Sequence, residues 1–138
     1  GSHTFSVRAE KSYIDKKSPS IVIMTNMKVV LYLNDGRIVI ITSEKGEYNK
    51  LTYDAFFERN VKATDGKTIV LAENLDLIMT EDRATIYNNV ILDNDKGSLR
   101  ADKVKYDFLT RYYQISMFDD EKVKIKLTKW ATRRSLGS

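Results

Sequence analysis

Carboxylates gather most tightly at Glu81-Asp82 and Asp119-Asp120-Glu121. Two such groups can divide acid and base work, as in glycoside hydrolysis, but only where they converge in a cleft that raises the pKa of one. Both clusters fall where turns between strands are expected, which leaves a hydrolase as the weakest reading. Other reactive groups are scarce. The 138-residue chain has no cysteine, so it offers neither a thiol nucleophile nor a thiolate metal site. Its one histidine, His3, lies in Gly1-Ser2-His3, a stretch that reads as the remnant of a cleaved tag. The sequence holds no GxxxxGK[ST] phosphate loop either. The net charge of +4 is spread along the chain, with Lys16-Lys17 and Arg133-Arg134 as the only basic doublets. A nucleic-acid face would need clustered cations interleaved with stacking aromatics. No catalytic residue, cofactor, metal or nucleic-acid partner is therefore expected.

What remains is the chemistry of apolar surface. Tyr48, Phe57, Val61, Leu77, Ile86, Val90, Leu92, Tyr106, Ile115 and Met117 fall on one face of alternating segments and are the candidate binding residues for a hydrocarbon ligand. For any one of them ordinary core filling is the stronger reading, since one row serves both purposes. The period is two: Ala84, Ile86, Val90 and Leu92 share a face that Asn88 interrupts, and Ala55, Phe57, Val61 and Ala63 keep the same phase one unit earlier.

Those units repeat. Ser43-Glu44-Lys45-Gly46-Glu47-Tyr48, Ala72-Glu73-Asn74-Leu75-Asp76-Leu77 and Ala101-Asp102-Lys103-Val104-Lys105-Tyr106 start 29 residues apart, and Asn60-Val61 is echoed by Asn89-Val90. A fixed period of this size marks a stack of similar units that share one core. The six-residue phrases are expected at corners where a strand ends, with Ser43, Ala72 and Ala101 small because backbones crowd there. Turn signals at Asn34-Asp35-Gly36, Asp65-Gly66 and Asp95-Lys96-Gly97 separate strand-sized segments, and Lys28 to Leu33 with Arg37 to Thr42 reads as a hairpin. The expected fold is all-β, in one domain spanning residues 20–127. Residues 1–19, up to Pro19, are expected to form a loosely structured leading segment, and residues 128–138, with Trp130, a polar tail.

Ala84 to Leu92 followed by Leu99-Arg100-Ala101-Asp102-Lys103-Val104-Lys105-Tyr106-Asp107 resembles the repeat of the OstA/LptA/LptC proteins of lipopolysaccharide transport. In that repeat a strand reaches Gly-Asn-Val, turns, and its successor ends in Ala-Asp-Lys. Arg59 and Asn88 stand here where the pattern has glycine. The resemblance covers roughly Ser20 to Leu127 and implies a twisted open β-jellyroll, two antiparallel sheets facing each other like a taco. It also implies a periplasmic lipopolysaccharide-binding module of the Lpt bridge that holds lipid A acyl chains. Its partners would be other Lpt proteins, LptA and the inner-membrane LptBFG transporter, joined by strand addition at sheet edges.

Within the family, the long hairpin before the first repeat favours the LptC branch, whose N-terminal membrane anchor would precede this chain. An LptA-like soluble bridge protein and a purely structural β-repeat interaction domain are the alternatives. The partner edges are expected at Ile21 and Ile23 near the start and at Val123, Ile125 and Leu127 near the end.

Overall fold

The computed structural model describes residues 4–119 and 122–128, with side chains as far as Phe118. Nine strands follow one another: β1 (Thr4–Ile14), β2 (Ile21–Tyr32), β3 (Ile38–Asn49), β4 (Ala55–Thr64), β5 (Ile69–Ile78), β6 (Arg83–Asn94), β7 (Gly97–Asp107), β8 (Tyr113–Asp119) and β9 (Lys122–Thr128), with one short 3-10 turn at Met79–Glu81. They form a single sheet in chain order, every pair antiparallel. The connections are short because their residues suit tight turns. Asp15, Asp35, Asn49, Asp65, Asn94 and Asp107 each accept a backbone N–H two residues on, and Gly36, Gly66 and Gly97 supply positive φ.

A meander of this kind buries one face only if it folds over, and the fold line follows the repeat. Register slips between Thr42 and Lys45, Glu58 and Val61, Leu71 and Asn74, and Tyr87 and Val90. On β4 the extra residues are Arg59 and Asn60, and on β6 Asn88 and Asn89, all four with φ between 50° and 68°. These bulges sharpen the local twist and bend each strand in mid-course. The six-residue phrases were expected at strand ends; they sit instead at the bends of strands that run straight through, because a bulge turns the chain without ending its ladder. The small residues are where crowding demands them, with Ser43, Ala72 and Ala101 all buried.

The acidic residue of each phrase also has a task at the bend. Glu44 and Glu73 accept hydrogen bonds from the side-chain amides of Asn60 and Asn89, sixteen residues further on. Asn26, another residue of positive φ, donates to Glu10 at the same separation. Asp102 accepts the backbone N–H of Phe118. Asparagine tolerates the left-handed region better than most residues, and the carboxylate fixes its side chain.

Folding over makes two walls that share the long strands β3 to β7, with the bulges along the crease and the hairpin turns along two opposing lips. Phe57, Leu75, Leu77, Leu92, Val104 and Ile115 are among the side chains fully enclosed between the walls. Complete burial of such a side chain is worth about 1.5–3 kcal/mol, so this one shared interior supplies the main cohesion.

The leading segment differs from expectation. Residues 4–14 form β1, paired along β2 from Thr4 with Tyr32 to Ile14 with Val22, and Phe5, Val7 and Ala9 cover the core. Ile21 and Ile23, expected on a partner edge, therefore lie on an internal strand flanked by β1 and β3, because the alternating polar face of residues 4–14 is enough to pair. β1 is one edge of the described sheet and β9, carrying Val123, Ile125 and Leu127, the other. Trp130 and the polar tail lie outside the described residues.

Candidate functional site

Eight of the ten candidate residues are buried in one continuous cluster: Phe57, Val61, Leu77, Ile86, Val90, Leu92, Tyr106 and Ile115. Tyr48 and Met117 are half-buried and pack against it, Tyr48 with its ring edge to Phe5 at 6.3 Å. The alternation of each strand puts them there, and each bulge restores the phase after the bend, so that Ile86 and Val90 share a face although Asn88 between them is exposed. The structure thus gathers the candidates on one inner surface. That surface is almost completely filled.

Space remains near the lips. A cavity of about 40 Å³ lies between Val39, Ile41, Ala63 and Val70 on one wall and Leu75, Ala84, Ile86, Tyr106, Phe108 and Tyr113 on the other. That is room for water-sized guests, and a long apolar chain needs the walls to separate. The cavity's polar lining comes from the β4–β5 turn: Thr64, Asp65 and Thr68. Thr68 is 2% exposed and its hydroxyl has no hydrogen-bond partner. Opposite, burial pushes the Tyr113 hydroxyl far above its ordinary value, with the neighbouring Tyr106 and Asp65 adding to the shift.

A polar cluster joins the lips above this cavity. Arg37, just after the β2–β3 turn, donates to the Tyr106 hydroxyl and, at 3.1 Å, to the Phe108 carbonyl of the β7–β8 turn. Its Nε donates to Asp35 Oδ2 at 2.8 Å, and Arg111 Nη2 donates to the same oxygen at 3.0 Å. Asp35 Oδ1 accepts the Arg37 backbone N–H at 3.0 Å. Burial alone would raise the Asp35 pKa; the hydrogen bonds and charge of Arg37, with the charge of Arg111, outweigh it and hold the carboxyl below its ordinary value. Sequence reasoning read Asn34-Asp35-Gly36 only as a turn. Partners some seventy positions away are invisible to a repeat of 29 residues.

Of the two acidic clusters, only the first has described side chains. Glu81 pairs with Arg83, Asp82 occupies a left-handed position after the 3-10 turn, and Asp120 and Glu121 lie outside the described residues. Among the described residues no helix is long and apolar enough to cross a membrane.

Comparison with known proteins agrees with this architecture. The family model described as "Lipopolysaccharide-assembly, LptC-related" matches residues 1–117. No curated protein matches the chain in sequence. Among solved structures, the chain is similar to LptH from Pseudomonas aeruginosa, described as the LptA-homologous periplasmic component of the conserved lipopolysaccharide transport device. The TM-score is 0.65 at 10% identity, covering 91% of this chain and 95% of that one. That likeness concerns the fold.

Proposed function

Because the chain belongs to the LptC-related family of lipopolysaccharide-assembly proteins, we propose that it takes the acyl chains of lipopolysaccharide between its two walls and passes them along a periplasmic bridge. The observation that carries this reading is the apolar interior, continuous from β1 to β8, whose lengthwise ends among the described residues are the edge strands β1 and β9. Each methylene withdrawn from water contributes about 0.8 kcal/mol, so a few chains suffice for tight binding without any catalytic group. Sugars and phosphates stay in solvent along the lips. The edge strands of the described sheet, β1 and β9, suit strand addition by neighbouring Lpt modules, the inner-membrane transporter on one side and an LptA-like protein on the other. The energy for transfer comes from another component, since the sequence holds no nucleotide loop.

One observation favours a second reading. The small residual cavity is what a closed structural module would have. A photo-crosslinking residue placed at Ile86 and, separately, at exposed Lys62 separates the two when purified lipopolysaccharide is added. Capture at position 86 alone supports the groove; capture at neither, with the protein folded, supports the closed module.

A further inference from the structure

Two guanidiniums, Arg37 and Arg111, converge on a single carboxylate oxygen, Oδ2 of Asp35, and Arg37 also bonds Tyr106 and Phe108, two residues of the cavity lining. Two further acids sit in other turns: Asp65, which also lines the cavity, accepts through Oδ1 the N–H groups of Lys67 and Thr68, and Asp107 Oδ1 those of Leu109 and Thr110. The three side chains of the cluster are 19–34% exposed, close enough to solvent for exchange and dry enough for charge to count. In the cavity lining the Thr68 hydroxyl is buried without a partner, a polar atom that nothing among the described residues satisfies.

We infer that this cluster is a head-group site, in which the phosphate of an acylated amphiphile replaces the Asp35 carboxylate between Arg37 and Arg111 while its chain enters the cavity and its ester carbonyl accepts the Thr68 hydroxyl. The inference rests on the reading of the interior as an acyl-chain groove. A phosphate carries more charge and more acceptor oxygens than a carboxylate, and guanidiniums engage it in parallel pairs. Asp35 is then an internal competitor that ties the lips together when the groove is empty. Its displacement breaks the Asp35–Arg111 link between the lips, while the Arg37 bonds to Tyr106 and Phe108 remain.

This site predicts opposite signs for its two kinds of residue, whereas a simple latch predicts the same sign. Calorimetric titration of the whole chain with 1-dodecanoylglycerol-3-phosphate and with uncharged 1-dodecanoylglycerol, both below micelle formation, reads the difference. The phosphate amphiphile binds at least tenfold tighter than the neutral one. Arg37→Gln with Arg111→Gln erases that preference. Asp35→Asn strengthens binding of the phosphate amphiphile severalfold and changes the neutral one less than twofold.

Equal affinity for the two heads overturns the inference and leaves the groove intact. So does a shift of both ligands in the same direction on Asp35→Asn and on the arginine changes, the behaviour of a latch alone. Inorganic phosphate binding as tightly as the amphiphile also overturns it, because the site would then be independent of the chain. Binding of neither amphiphile overturns it too, and lipopolysaccharide capture at position 86 then tells whether the groove reading has failed with it.

Discussion

At the scale of the residue, the bend positions carry the clearest consequences. Arg59 and Asn88 occupy left-handed backbone at φ 68° and 67°, where the family repeat has glycine. An L-residue costs about 1–2 kcal/mol there, though less for asparagine. Arg59→Gly is expected to stabilise the protein by about 0.5–1 kcal/mol after the extra chain entropy of glycine is subtracted, read as a higher midpoint in thermal unfolding. A lower midpoint would mean that the Arg59 side chain does more than tolerate its position. Gly46 presents the reverse case. A Cβ there would meet Met27 Sδ at 2.4 Å and the Phe56 carbonyl at 2.8 Å, so Gly46→Ala should cost about 1–3 kcal/mol in denaturant unfolding.

The spacing of Glu44 and Asn60, and of Glu73 and Asn89, was visible in the repeat; their partnership was not. A hydrogen bond across a bend follows from the register of two strands, and alternation gives the phase of a strand without its bulge.

At the scale of the element, strands and turns were largely legible because apolar alternation and Asx-Gly signals coincide on β3 to β7. β1 was not, since Thr4 to Ile14 alternates with little apolar weight and is held by pairing with β2. Its removal tests that dependence. A chain lacking residues 4–14 uncovers the whole of β2, twelve residues rich in valine, isoleucine and methionine, as a bare edge. Size-exclusion chromatography with light scattering should find it self-associated, and a well-behaved monomer would argue that β1 is dispensable.

The lips add a pH dependence. The Asp35 pKa is held below its ordinary value of 3.8 in the folded protein, so the stability it contributes is present above that value. That contribution is lost as pH falls from 3.8 through the lowered folded value. The stability advantage of the unaltered chain over Asp35→Asn should therefore be constant near neutrality and shrink below about pH 3.8. An advantage that grew on acidification would contradict the paired arrangement.

At the scale of the whole molecule, the walls form one interior, and the account stands on what that interior holds. Ile86→Glu buries a charge without a partner and should cost about 3–5 kcal/mol together with lipid binding. Lys62→Glu, on the outer face, should change stability by less than about 0.5 kcal/mol and leave binding unaltered. The inner row could be read from sequence because its period is two on each side of the bend, although on β2, β3, β5 and β7 it steps by three across the bend itself, as from Ala72 to Leu75 and from Ala101 to Val104. Which wall faces which could not, because the contact between Arg37 and the β7–β8 turn depends on the accumulated twist of the strands between them.

The most direct test is methyl NMR of the isoleucine-labelled chain with lipopolysaccharide bearing a nitroxide on an acyl chain. Ile41, Ile86 and Ile115 are buried between the walls, while Ile38 and Ile69 are exposed on the outside. The account predicts paramagnetic broadening that is stronger for the three inner methyl signals than for the two outer ones. Broadening of Ile38 and Ile69 while the inner signals stay sharp would place the lipid on the outer face and contradict it.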